Sequence, residues 1–245
     1  MIGIVIPAHN EEAVIAACLA SVQHAAACTA LAGEQVEIFV VLDRCSDDTA
    51  AIVAAHGVVG LALSEGNVGR ARAAGAVMAI ARGARWVACT DADSVVPPDW
   101  LSAQLAYRCD AFCGIVTVHD WCDYGTAVRE TYLAGECDRD GHPHVHGANL
   151  GMSAAMYLRC GGFPPLAAHE DVAVVAALVA AGARIARKAS PAVVTSARRV
   201  ARARGGFADY LLALEARTRG LAVQVRGVVG PDPMPVARTG TSRES

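Results

Sequence analysis

Short apolar runs and longer stretches of helical spacing take turns along the first half of the chain. Ile4-Val5-Ile6 predicts a strand, and Glu11 to Gln23 sets Val14, Ile15, Leu19 and Val22 on one helical face. Glu37-Ile38-Phe39-Val40-Val41-Leu42 predicts a second strand, and Ser46-Asp47-Asp48-Thr49 offers an N-cap to a helix over 49–56. Gly60-Leu61-Ala62-Leu63 reads as a short third strand and Val68 to Arg82 as a helix. Arg85-Trp86-Val87-Ala88-Cys89-Thr90 then reads as a buried fourth strand. This βαβαβαβ order implies an α/β fold with a doubly wound, mostly parallel central sheet. Ligands of such sheets lie beyond the carboxyl ends of the strands, where Pro7, Asp43, Ser64-Glu65 and Asp91 all fall.

The second half is less regular. Ala111 to Val118 predicts a strand, Asp123 to Cys137 a helix or lid, and Gly147 to Ala154 a strand. Ala155 to Cys160 reads as a short helix closed by Gly161-Gly162, Asp171 to Ala181 as a helix, and 184–196 as one or two strands. Phe207 to Val223 predicts a last helix, and the Pro/Thr/Ser/Gly/Arg-rich segment after Gly230 predicts disorder. The expected organisation is one domain over 1–228, with a nucleotide-binding half about 1–95, an acceptor half about 96–228, and a tail over 229–245.

Composition narrows the class. Hydrophobic residues are 54% of the 245 and aromatics only 5%, so the core must be built mainly of Ala and Val. A net charge of −3 argues against a general nucleic-acid binder. The charge is uneven, because 91–140 is acid-rich while 184–204 carries seven Lys/Arg, among them Arg198, Arg199, Arg202 and Arg204. Nine cysteines without a C-x-x-C pair suggest reduced thiols and a cytoplasmic setting. Met1 leads straight into strand residues, so no signal peptide is expected. The apolar stretch Val172 to Ala181 is far shorter than the ~20 residues of a membrane span.

The sharpest chemical feature is Thr90-Asp91-Ala92-Asp93, where the fourth strand ends in two carboxylates separated by one residue. Side chains two apart at a strand end point to one side, so Asp91 and Asp93 can converge on a cation. Hard oxygen ligands suit Mg²⁺ or Mn²⁺, ions that usually share their coordination with substrate phosphates. A D-x-D in a loop that merely caps a turn is the competing reading.

Several further segments occur in one order with it. Ile6-Pro7-Ala8-His9-Asn10-Glu11-Glu12 resembles the opening P-x-x-N-E-E of family 2 glycosyltransferases with the GT-A fold. Asp43 with Ser46-Asp47-Asp48-Thr49, Asn67-Val68-Gly69 with Ala71-Arg72 and Gly75, and Asp91-Ala92-Asp93 resemble that family's next segments. Gly147-Ala148-Asn149-Leu150-Gly151-Met152 with Gly161-Gly162-Phe163 is similar to its acceptor segment, and Glu170-Asp171 to its E-D pair. Ala73 departs from the usual Asn, and no Q-x-x-R-W is present, which argues against a processive polysaccharide synthase. Thr195 to Arg199 occupies the region where relatives often place a metal-binding His, which leaves the third metal ligand open.

The resemblance implies a soluble transferase that uses a nucleotide-diphosphate sugar. Asp43 would accept the imide hydrogen of uracil, so a UDP-sugar is favoured; Glu11 and Asp91 would take ribose hydroxyls and Arg72 a phosphate. Pro7, His9 and Asn67 join the donor pocket, Asp93 with Asp91 holds Mg²⁺ or Mn²⁺, and Arg198 and Arg199 belong to an arm closing over the diphosphate. The same arginines could instead hold a phosphorylated acceptor or form a solvated basic face. Asp171 is the candidate general base beside Glu170, with a helix N-cap as its competing role. Gly147, Asn149, His146, His169 and an aromatic wall at Trp121 are expected on the acceptor side, for a small hydrophilic acceptor. His142, His144 and His146 would line up on one face of an extended segment. A retaining transferase, a sugar nucleotidyltransferase lacking its G-x-G-x-R motif, and a non-catalytic nucleotide-sugar-binding protein are the alternatives; a homodimer is an open possibility.

Overall fold

The computed structural model describes residues 1–135, 139–200 and 205–219. Its centre is a seven-stranded sheet. Strands β1 (Ile2–Ala8), β2 (Val36–Asp43), β3 (Val59–Leu63) and β4 (Trp86–Cys89) form the first half. β5 (Ala111–Thr117), β6 (Leu150–Ser153) and β7 (Ile185–Val194) complete it in the order β3-β2-β1-β4-β6-β5-β7. Every pairing is parallel except those of β6, which runs antiparallel between β4 and β5. The expected doubly wound sheet is present, with one strand reversed in its middle.

Both faces of the sheet are buried, and the period of two along β1 shows why. Ile2, Ile4 and Ile6 face α1 (Ile15–Ala26), meeting Ile15, Leu19 and Val22, together with Trp100 and Leu101 of α4 (Trp100–Ala106). Val5 points the other way, into a layer with Ala76 of α3 (Val68–Ala81) and Val174 and Leu178 of α7 (Glu170–Ala180). With few aromatics available, close approach replaces bulk. A Cβ on Gly75 would lie 2.5 Å from Val5 Cγ1, so a small residue there lets α3 rest directly on the sheet.

The start of α3 is held in the same manner. Gly69 donates to Leu166 O, and a Cβ at Gly69 would stand 2.3 Å from Pro164 O and 2.7 Å from Leu166 O. Because these neighbours are backbone, Gly69→Ala should cost about 1–3 kcal/mol. In a chain of this size each kcal/mol corresponds to about 2–4 °C, so calorimetry should record a clear fall in melting temperature. An unchanged melting temperature would mean that the 164–166 loop simply moves aside.

Several boundaries differ from the sequence expectation for physical reasons. The first helix starts at Ile15 rather than Glu11, because Asn10 turns into the left-handed region at φ 54° and Glu11 and Glu12 bind the neighbouring loop. The strand expected from Gly147 begins as a 3₁₀ turn, Gly147–Asn149. α4 follows Pro97-Pro98-Asp99 and was too short to show a helical period. α2 (Thr49–Ala55), α5 (Thr126–Gly135) and α8 (Phe207–Thr218) fall within their expected segments, and α6 (Ala154–Cys160) begins one residue before its own. The tail over 229–245, Arg202 and Arg204 lie outside the described residues. Among the described residues no helix is long and apolar enough to cross a membrane.

Candidate active site

The carboxyl ends of β1, β2 and β4 open onto a cavity of about 900 Å³. Two loops are laced together along its rim. Glu11 N donates to Thr49 Oγ1, Glu12 N to Asp47 Oδ2, Ser46 N to Asn10 Oδ1 and Asp48 N to Glu12 Oε2. The polar residues that follow β1 and β2 therefore fix the loop geometry, and of these two loops Glu11 and Asp43 contribute carboxylates to the cavity lining.

Asp43 lines the cavity and accepts three backbone N–H groups, from Glu65 at 2.8 Å, Gly66 at 2.9 Å and Asn67 at 2.8 Å. Burial opposes its ionisation, but these three donors outweigh burial and hold its carboxyl below the usual range. A carboxylate offers about four acceptor positions, so about one remains for a ligand N–H. His9 lies beside it, with Nδ1 2.7 Å from Asp43 O. Asn67 caps α3 by accepting from Arg70 N, and it also lines the cavity. Arg44, which the sequence reading passed over, lines the same end; its place directly after Asp43 at a strand end was the available signal.

Arg72 is the hub of the floor. It is 3% exposed, and its guanidinium donates to Glu170 Oε1 at 2.8 Å, Gly147 O at 3.0 Å and Asp91 Oδ1 at 2.5 Å. Burial alone would lower its pKa, but Asp91 and Glu170 raise it, so the charge is permanent. Arg72, for which the resemblance implied a phosphate contact, lines the cavity and ties the D-x-D segment to the E-D pair and to the Gly147 turn. Glu170 is likewise buried, its carboxyl raised by burial and by Asp171 against the opposing pull of Arg72.

Asp91 and Asp93 stand beyond β4 as the strand geometry requires, both lining the cavity. Burial pushes the Asp93 carboxyl up to about 6, against the opposing field of Arg198 and with Asp91 and Glu11 adding to the rise. Arg198 arrives from a distant segment. An antiparallel bridge between Val95 and Val194, with Ser94 Oγ 3.0 Å from Thr195 Oγ1, lays residues 195–200 beside the D-x-D loop. Arg198 Nη1 then sits 2.8 and 2.6 Å from the Glu11 carboxylate oxygens, and Nη2 3.2 Å from Asp93 Oδ2.

Asp171 is not an N-cap. The cap position of α7 falls at His169, which adopts the left-handed conformation at φ 61°, and Asp171 lies in the first turn. Its Oδ2 accepts from Gly147 N at 2.8 Å and its Oδ1 from Val172 N at 2.8 Å, and it lines the cavity with His169 and Gly147. The three histidines do align, with ring centroids 5.6 and 5.8 Å apart. His142 is buried with Nε2 3.2 Å from Lys188 O, while His144 and His146 reach the cavity. Burial, reinforced by the neighbouring His144 and His142, holds His146 down to about 3, so it is neutral.

Three expected residues lie elsewhere. Asn149 is fully buried; its amide donates to Ile115 O and Pro191 O and accepts from Trp100 Nε1, so it staples the Gly147–Asn149 turn to β5, β7 and α4. Trp121 packs edge-on against Tyr132 in a separate cluster beneath α8. Arg199 turns away from the cavity to Asp123 and Glu215 and lies 4.2 Å over the Tyr124 ring. Phe207 and Tyr210 of α8, neighbours at i and i+3 to which the sequence reading gave no role, are the aromatic side chains that line the cavity.

A mostly parallel sheet with acidic side chains gathered at its carboxyl ends is a GT-A architecture. The chain belongs to glycosyl transferase family 2, whose model matches residues 3–157. No curated protein matches it. Solved structures that it resembles include Staphylococcus aureus TarS with UDP-GlcNAc, at TM-score 0.65 and 16% identity over 89% of this chain and 66% of that one. The Pyrobaculum calidifontis mannosyltransferase PcManGT, in complex with GDP-Man and Mn²⁺, is similar at 0.61 and 16% identity, covering 89% and 74%. Mycobacterium tuberculosis glucosyl-3-phosphoglycerate synthase is similar at 0.55 and 16% identity, covering 90% and 81%. The chain thus spans about two thirds of the TarS fragment.

Proposed function

We propose that this protein transfers a sugar from a nucleotide-diphosphate donor, with a UDP-sugar favoured, to a small hydrophilic acceptor, with inversion at the anomeric carbon. The observation that supports the proposal is that Asp43, Asp91, Asp93 and Asp171 line one cavity, with Asp171 bonded to Gly147 N; in this reading Asp43 meets the base and Asp171 the acceptor. Glu11, Asp43, Asp91, Asp93, Glu170 and Asp171 line it against Arg44, Arg72 and Arg198; among the described residues no three His, Cys, Asp or Glu side chains are grouped to hold a metal ion by themselves, so a divalent cation would take part of its coordination from the donor's phosphates. Asp91 and Asp93 would hold Mg²⁺ or Mn²⁺, and when bound the ion would neutralise the leaving diphosphate as a Lewis acid.

The chain's own residues supply the rest. The remaining acceptor position of Asp43 takes an imide N–H of the base, while Pro7, His9 and Asn67 shape the pocket around it. Arg72 holds Asp91 and Glu170 in register, so the donor and acceptor halves share one rigid floor. Asp171 takes the proton of the acceptor hydroxyl as that oxygen attacks the sugar. His146, neutral and enclosed, and His169 border the acceptor, with Phe207 and Tyr210 offering apolar faces to a sugar ring.

A panel of nucleoside diphosphates tests the base assignment. With Mn²⁺ present, calorimetry should find UDP tightest, GDP next because guanine also carries an imide N–H, and ADP and CDP weakest. Losing one charge-assisted hydrogen bond corresponds to about 1.5–3 kcal/mol, or roughly 10- to 150-fold in affinity. Equal affinity for all four would remove Asp43 from base recognition.

A further inference from the structure

We propose that Arg198 and the divalent cation compete for Asp93, and that a donor diphosphate resolves the competition by giving Arg198 a new partner. The inference rests on the metal-dependent reading above. It adds an order to the site: the ion enters well only together with the nucleotide.

The argument starts from where Arg198 is held. Its guanidinium bridges Glu11, at 2.8 and 2.6 Å, and Asp93, at 3.2 Å, so it neutralises two of the carboxylates nearest the expected ion. Glu11 and Asp93 have side chains only 6% and 10% exposed, which makes that neutralisation worth far more than at a surface. An ion placed on Asp93 displaces one of these contacts and sets a second positive charge beside the first. Without another anion nearby the guanidinium gains nothing in return. A diphosphate changes this, because the planar fork of arginine matches phosphate oxygens as well as carboxylate ones.

The strap that carries Arg198 is built for a side-chain swing and not for detachment. On one side it is joined to the D-x-D loop through Val95–Val194 and Ser94–Thr195. On the other, Arg199 points the opposite way and is locked by Glu215 at 2.8 and 2.9 Å and Asp123 at 2.5 Å, over the ring of Tyr124. Between these anchors the Arg198 side chain is 29% exposed and faces the cavity. The backbone is fixed while the guanidinium has room to turn from Glu11 and Asp93 toward a diphosphate.

The test measures Mn²⁺ binding directly, by the free-ion electron paramagnetic resonance signal, with and without UDP. Wild type should bind Mn²⁺ weakly alone and much more tightly with UDP. Arg198→Gln should bind Mn²⁺ alone roughly 5- to 150-fold tighter than wild type, so the further gain that UDP brings to Mn²⁺ binding should be smaller than in wild type by about the same factor. Arg198→Lys keeps the charge on a point instead of a fork and should fall between the two; it serves as the reading if the glutamine variant does not fold. If UDP recruits Mn²⁺ to wild type but neither variant tightens Mn²⁺ alone, the competition is refuted and the metal-dependent reading stands. If Mn²⁺ does not bind wild type even with UDP, both are overturned.

Discussion

Replacing Asp93 with asparagine should leave a folded protein with roughly a thousandth of the wild-type turnover. Metal stabilisation of developing charge contributes several kcal/mol, and each 1.36 kcal/mol is a factor of about ten in rate. Asparagine keeps the shape and one oxygen but removes the charge that would hold the ion. The fold should tolerate it. Burial raises the Asp93 carboxyl to about 6, so the ionised form is the disfavoured one in the folded protein. The sign follows from linkage: the unfolded chain loses this proton near 3.8, the folded chain not until about 6, so stability falls as pH rises through that interval. Asp93→Asn has no such proton and should show a flatter profile of melting temperature there. EDTA should inhibit wild type, and Mn²⁺ or Mg²⁺ should restore it. Full turnover of Asp93→Asn, or of wild type in chelator, would end the metal-dependent reading.

Local chemistry explains which parts of this molecule were legible before the structure. Asp91 and Asp93 follow directly from a strand ending in D-x-D, and Asp43 from a strand ending in one carboxylate, because strand geometry fixes where such side chains point. The Arg72 network was not legible. Its partners Glu170 and Gly147 are 98 and 75 residues away in sequence, and nothing near Arg72 distinguishes a buried hub from a phosphate ligand. Asn149 shows the same limit from the other side. Its resemblance to an acceptor residue was read as contact with substrate, yet its amide satisfies buried backbone carbonyls of two strands. Arg198 and Arg199 are adjacent and chemically identical, but an extended strap sends them in opposite directions, one into the cavity and one into the packing around α5 and α8. Phe207 and Tyr210 were missed because an amphipathic helix carries no mark of whether its aromatic face meets core or ligand.

Asp171→Asn is expected to slow transfer by roughly 10²–10⁴ while leaving donor binding and stability nearly unchanged. The geometry sets the rival role. Asp171 accepts the Gly147 N–H at 2.8 Å and so pins the acceptor turn that also receives Arg72 through Gly147 O. If pinning were its whole function, asparagine would serve, since its amide oxygen can accept the same N–H and the lost interaction with the Val172 N–H is one local hydrogen bond. A base cannot be replaced in this way, because a neutral amide takes no proton from an acceptor hydroxyl. The two roles therefore separate on a single variant, provided that chemistry is isolated from binding. Single-turnover transfer with preloaded donor reports the chemical step, calorimetry with UDP and Mn²⁺ reports the donor pocket, and melting temperature reports the pinned turn. Slow transfer with intact binding and melting identifies the base. Near wild-type transfer would reduce Asp171 to a structural pin. Suspicion would then move to Glu170, whose carboxyl is raised by burial but committed to Arg72, or to a retaining pathway that needs no such base.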